Sequence, residues 1–104
     1  MTPSAAPHPV PDAARAELER LGARWHTLPL PRALEHAPAL RALAQEFADE
    51  CSGTPGAAQI PDLGPAAAYD QLVTLTYDVA QHRAPQPNAR EALAERLAQL
   101  RQAL

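Results

Sequence analysis

The residues best suited to chemistry in this chain are four histidines, His8, His26, His36 and His82, and one thiol, Cys51. Zinc sites draw on imidazole and thiolate, commonly as two ligands three or four residues apart on one helix face or as a C-x-x-C pair. No two of these histidines have that spacing, and a single cysteine makes no pair. A metal would have to collect its ligands from a tail, a linker and two helix ends. The pattern therefore predicts scattered surface imidazoles, with no metal and no other cofactor.

Nucleophilic catalysis has as little support. Neither Ser4 nor Ser52 sits in a Gly-x-Ser-x-Gly elbow. Cys51 falls on the apolar side of a helix, near its C-terminus and beside Asp49 and Glu50. That setting raises a thiol's pKa and dulls it, so Cys51 reads as structural. No catalytic residue is assigned, and the chain leans away from an enzyme without excluding one.

The one constellation with defined physics is a strip at helical spacing, Asp70, Thr74, Asp78 and His82. Asp78 and His82 lie four residues apart near a helix end, where the carboxylate and the helix dipole both favour imidazolium. The strip has three readings. It forms a polar groove for a small ligand, with Tyr69 or Tyr77 beside it; it is a solvent face with a stabilising terminal cation; or it receives arginines from the first or last helix. A phosphate cradle is disfavoured at Pro61-Asp-Leu-Gly-Pro65, where Pro65 removes an amide and Asp62 adds negative charge. That segment predicts a structural turn with a cap. The run from Pro61 to Leu72, PDLGPAAAYDQL, resembles short alanine-rich proteins of high-GC bacteria, a likeness that implies no activity.

Charge is segregated along the chain. Between Arg41 and Arg83 stand forty-one residues with six carboxylates, Glu46, Asp49, Glu50, Asp62, Asp70 and Asp78, and no cation. The stretch before sums to +1, the middle to −6 and the stretch after to +2. Ends and middle attract each other, or attract complementary chains. Arg15, Arg20, Arg24, Arg90, Arg96 and Arg101 are the one argument for nucleic acid. The net charge of −3, the lack of lysine and the few aromatics argue against it.

Twenty-four alanines and fourteen leucines in 104 residues, against three valines and one isoleucine, predict an all-α domain. Four prolines in the first eleven residues make residues 1–11 a flexible tail, with a single helical domain over 12–104. The first helix starts near Asp12, its cap, with Arg15 and Glu19 paired on its flank, and stops at Gly22. Residues 24–31 stay extended between two prolines, with Trp25 as a core anchor. Residues 32–36 make a turn and a second helix covers 38–51, with Pro38 in its first position and Gly53 beyond its end. A loop follows through Gly64, partly packed through Ile60 and Leu63. The third helix, 65–83, is apolar around more than half its circumference and becomes the central one. Its Leu72, Leu75 and Val79 should be the most buried residues, with Leu40, Leu43 and Phe47. A last helix opens with a capping box, Asn88 and Glu91.

That last helix carries Leu93, Leu97, Leu100 and Leu104 in a narrow seam with arginine flanks, the spacing of a coiled-coil interface. It predicts a protein partner or a homodimer through the C-terminal helix, the alternative being that these leucines cover the central helix of their own chain. One cysteine, no basic and apolar leader, and no apolar stretch of about 20 residues lead us to expect a cytoplasmic, non-membrane protein. The function expected is a small non-catalytic interaction or regulatory module. The alternatives are a small-molecule-binding protein or enzyme using the third-helix strip, and a nucleic-acid-associated factor.

Overall fold

Prolines and glycines set the breaks between the helices, though not always at the expected residue. The computed structural model describes residues 8–104 as four helices: α1 (Asp12–Thr27), α2 (Leu30–Ser52), α3 (Pro65–His82) and α4 (Pro87–Ala103). The described residues contain no strand. The fold is all-α, a small four-helix domain. Residues 1–7 of the expected tail lie outside the described residues. The packing reaches back past Asp12, because Val10 is only 1% exposed and belongs to the core.

α1 does not stop at Gly22 but continues to Thr27. Gly22 lies buried inside the helix against Tyr69 of α3. The corner is only Leu28 and Pro29, with the Pro29 carbonyl accepting from the amides of Arg32 and Ala33 at 3.0 Å. The expected turn and second helix are thus one helix starting at Leu30, with Pro38 in its interior. An interior proline costs about 3 kcal/mol where its lost hydrogen bond goes unmet. Pro38 is exposed, and so is Leu34, whose carbonyl it leaves without its helical donor. The opposite side buries Ala33, Ala37, Leu40, Leu43, Ala44 and Phe47 without a gap, which offsets the cost.

Gly53 ends α2 in the left-handed conformation at φ 75°, its amide donating to the Asp49 carbonyl at 2.9 Å. Two expected caps do not form. α4 opens at Pro87 with Gln86 before it, so Asn88 is already helical and no side chain caps the end. Asp12 likewise follows Pro11 into the first turn of α1 and pairs with Arg15 at 3.5 Å, displacing the expected Arg15–Glu19 pair.

Cross-helix bonds fix the directions. Glu50, near the end of α2, grips Arg83, just past the end of α3, while Ala33, near the start of α2, shares a wall with Pro65 and Ala66 at the start of α3. α2 and α3 therefore run parallel. Glu17 with Arg101, and Arg24 with the Leu104 carbonyl, set α1 and α4 parallel in the same way. The order is up, down, down, up, and α3 alone approaches all three of the other helices closely.

Leu72, Val79, Leu40 and Leu43 are fully buried, and Phe47 nearly so. Leu75 is only half-buried, against expectation. The inward place is taken by Thr76, whose hydroxyl donates to the Leu72 carbonyl at 2.7 Å and so enters the core satisfied. Leu93, Leu97, Leu100 and Leu104 are all buried in the core of their own chain. The leucines expected to meet a partner are interior in the single chain. Period alone does not distinguish a stripe that covers one's own chain from one that meets another.

Candidate functional site

Because α2 and α3 are parallel, residues 53–64 must carry the chain back along the whole of α2, and α2's outer face is built to hold them. Gln45 donates to the Ala58 carbonyl at 2.9 Å and accepts from the Ile60 amide at 2.8 Å. Asp49 accepts from the Gly56 amide at 2.9 Å and from Gln45 at 2.8 Å. The Gly56 bond, then the Gln45 bond, hold the Asp49 carboxyl below its ordinary pKa. Arg41 meets Asp62 at 3.3 Å, and Asp62 accepts from the Gly64 amide at 3.0 Å just before α3 opens. On the other side Gln71 of α3 donates to the Pro61 carbonyl at 2.9 Å.

Between this strap and α3 lies an open groove of about 390 Å³, with Ile60, Pro61, Leu63, Ala67 and Leu75 as its apolar lining and Asp70, Gln71 and Thr74 on its polar edge. Leu63 is 64% exposed, and the Gln71 side-chain oxygen is covered and has no hydrogen-bond partner among the described residues. Across Pro65 and Ala66 a smaller cavity of about 230 Å³ is walled by Trp25, Leu28, Leu30 and Ala33. Leu30 and Leu34, one turn apart on α2, are 64% and 55% exposed. Exposed apolar side chains mark a contact surface where they join into one patch, not where they stand singly.

The strip foreseen from spacing is divided by this architecture. Asp70, Thr74, Asp78 and His82 are all exposed on α3. Asp70 and Thr74 border the groove, and the Thr74 hydroxyl donates to the Asp70 carbonyl at 3.1 Å. Asp78 instead lies toward Cys51, where burial first and the Asp78 charge second push the thiol's pKa up. His82 lies by Glu50, and no bond joins it to Asp78 among the described residues. Among the described residues, no arginine of a terminal helix pairs with the strip.

They reach other carboxylates. Arg96 lies 3.4 Å from Glu46, Arg101 donates to Glu17 at 2.8 Å, and Arg83 holds Glu50 through two bonds at 2.7 and 2.6 Å. Arg83 also donates to the Ala89 carbonyl at 2.7 Å, tying the α3–α4 turn. Arg20 meets Glu17 at 2.8 Å and Arg32 lies 3.6 Å from Glu35. The ends and the middle of the chain do attract each other, but through α2 and the strap, leaving Asp49, Asp70 and Asp78 without an ion pair among the described residues.

An open polar groove of about 380 Å³ between α2 and α4 is lined by the Arg83–Glu50 and Arg96–Glu46 pairs. Between α1 and α3, His8 meets the Tyr77 hydroxyl at 2.7 Å over a cup of about 240 Å³. The other histidines stand apart, His26 edge-on to Tyr69 and His36 beside Arg32. No group of three or more potential metal ligands gathers among the described residues, and no helix there is long and apolar enough to cross a membrane.

Leu30, Leu34 and Gln45 went unmarked as site residues in the sequence. The signal for them was present: a long segment holding three glycines before a helix that starts late demands a returning strap, and a strap needs polar clamps. No protein-family model matches the chain, and no curated protein or solved structure matches it either.

Proposed function

We propose that this chain is a small, non-catalytic, intracellular interaction module that binds a protein partner on its apolar edge. The observation that carries the reading is the exposure of Leu30 and Leu63 around the start of α3, with Leu34 one turn along α2 from Leu30, on a domain whose other large aliphatic side chains are largely covered. The strap supports it by holding Leu63 on a fixed rim with backbone bonds to Gln45, Asp49 and Gln71. Pre-set rims lose little freedom on binding. Serine substitutions at Leu30, Leu34 and Leu63 test the reading. The partner retained from the native cell by the unaltered domain should be lost by the triple variant while its circular dichroism stays helical. Equal retention by both chains would exclude this edge.

A second reading has one observation in its favour. The groove abuts Asp70 and Thr74, half of the polar strip, and its volume lies in the range of small-ligand sites. A ligand that raises the melting temperature of the unaltered chain but not of Asp70→Ala would favour it over a protein partner.

A further inference from the structure

We infer that the occupant of the groove between the strap and α3 is a cationic amphipathic helix of a partner protein, with an apolar side chain against Leu63 and Leu75 and its positive charges on Asp70 and Asp78. This rests on the interaction-module reading and names the chemistry of the partner.

Three features select that occupant. The groove's lining is apolar, which calls for an apolar side chain, and its edge carries Asp70 without a cation among the described residues. Glu19, also without an ion pair among the described residues, stands with Asp70 near the Tyr69 hydroxyl, where the two carboxylates add to the effect of burial in raising its pKa. Asp62 on the strap is already shared with Arg41. The field over this face is therefore negative, and an acidic segment would be repelled.

Among the described residues the chain leaves few of its own cations free for the task. Eight of the nine arginines already meet an acceptor: Arg15, Arg20, Arg32, Arg41, Arg83, Arg96 and Arg101 in ion pairs, and Arg24 on the Leu104 carbonyl. A second copy would present mostly engaged arginines, so it complements the groove poorly. Spacing supplies the helical form. Asp70 and Asp78 are eight residues apart on one helix, about 12 Å at 1.5 Å per residue. A partner helix laid along α3 matches that distance with cations two turns apart, its apolar residues falling between them on the groove side.

The test uses the full chain labelled with ¹⁵N and a synthetic peptide of leucine and lysine at amphipathic helical spacing. A leucine–glutamate peptide of the same pattern is the control. The lysine peptide should move the resonances of Leu63, Gln71 (its side-chain amide included), Thr74 and Leu75, and the glutamate peptide should not. Asp70→Lys should weaken binding about tenfold or more, as should Leu63→Ser, whereas Glu91→Lys, the same charge change on exposed α4, should weaken it less than about threefold. Shifts elsewhere, equal response to both peptides, or equal loss in Asp70→Lys and Glu91→Lys would each overturn the inference. So would groove shifts that grow with protein concentration in the absence of peptide, which would seat a second copy there. If the apolar-edge serine variants lose the native partner but the groove ignores the lysine peptide, the inference falls and the module reading stands.

Discussion

Tyr69 lies across Gly22. Its hydroxyl donates to the Leu18 carbonyl of α1 at 2.7 Å, and a Cβ placed on Gly22 would stand 2.6 Å from that hydroxyl and 2.7 Å from the ring carbon bearing it. Gly22 is thus a gap in α1 shaped to admit a phenol from α3, and the pair fixes how closely the two helices approach. Burial raises the Tyr69 pKa, and Asp70 and Glu19 add to it, so the hydroxyl stays a donor through the neutral range.

Gly22→Ala therefore has an inverted sign. In an ordinary helix interior the change stabilises by about 1 kcal/mol. Here the overpacking should make it destabilising by about 1–3 kcal/mol, read from urea unfolding. In a Tyr69→Ala background the penalty should vanish or reverse, and additive costs would mean that the two residues do not meet.

Leu72→Ala should cost about 2–5 kcal/mol, the range for emptying a sealed leucine site. Leu75→Ala should cost clearly less, because Leu75 is half-open to the groove. Parity between the two would contradict their different burial.

Leu97→Glu places a carboxylate where the side chain is fully buried. Circular dichroism and light scattering on the same sample should show loss of helix or of the cooperative transition, since a lone buried charge is poorly tolerated. A helical, stable variant that merely changes mass would restore the α4 seam as an intermolecular surface.

Acid should act through three carboxyls, Glu50, Glu17 and the strap clamp Asp49. Hydrogen bonds from Arg83 first, then its charge, hold Glu50 below its ordinary value of 4.5, and Arg101 does the same for Glu17. A carboxyl whose folded pKa is depressed binds fewer protons folded than unfolded. Its stabilisation is complete above about pH 4.5 and drains away as pH falls through the folded value. The urea midpoint should hold from neutral pH to about pH 5 and drop below that. Glu50→Gln should start lower and fall less steeply, and parallel profiles would remove Glu50 from the account.

Helix content was legible in the sequence because alanine and leucine dominate and α3's apolar arc is wide. Boundaries were less so. Gly22 and Pro38 carry strong local signals for a stop and a start, yet Tyr69 and the continuous inner face of α2 override them. The leucines of α4 were legible as a seam but not as whose seam, because that depends on which helices run alongside. The candidate site was half legible. Asp70 and Thr74 border the groove, while Asp78 and His82 lie beyond its lining, further along the same helix. Only the parallel course of α2 and α3 makes that division, and no local pattern encodes it.

The returning strap has a consequence for how the chain divides. Each closely packed pair, α2 with α3 and α1 with α4, takes one helix from either side of residues 53–64. Neither half has a complete core, so each completes the other as two fragments of a split protein would. A cut within the exposed strap should leave a nicked molecule held together by that shared core. Two intact chains at high concentration could also trade halves, producing an exchanged pair with every contact of the single chain preserved.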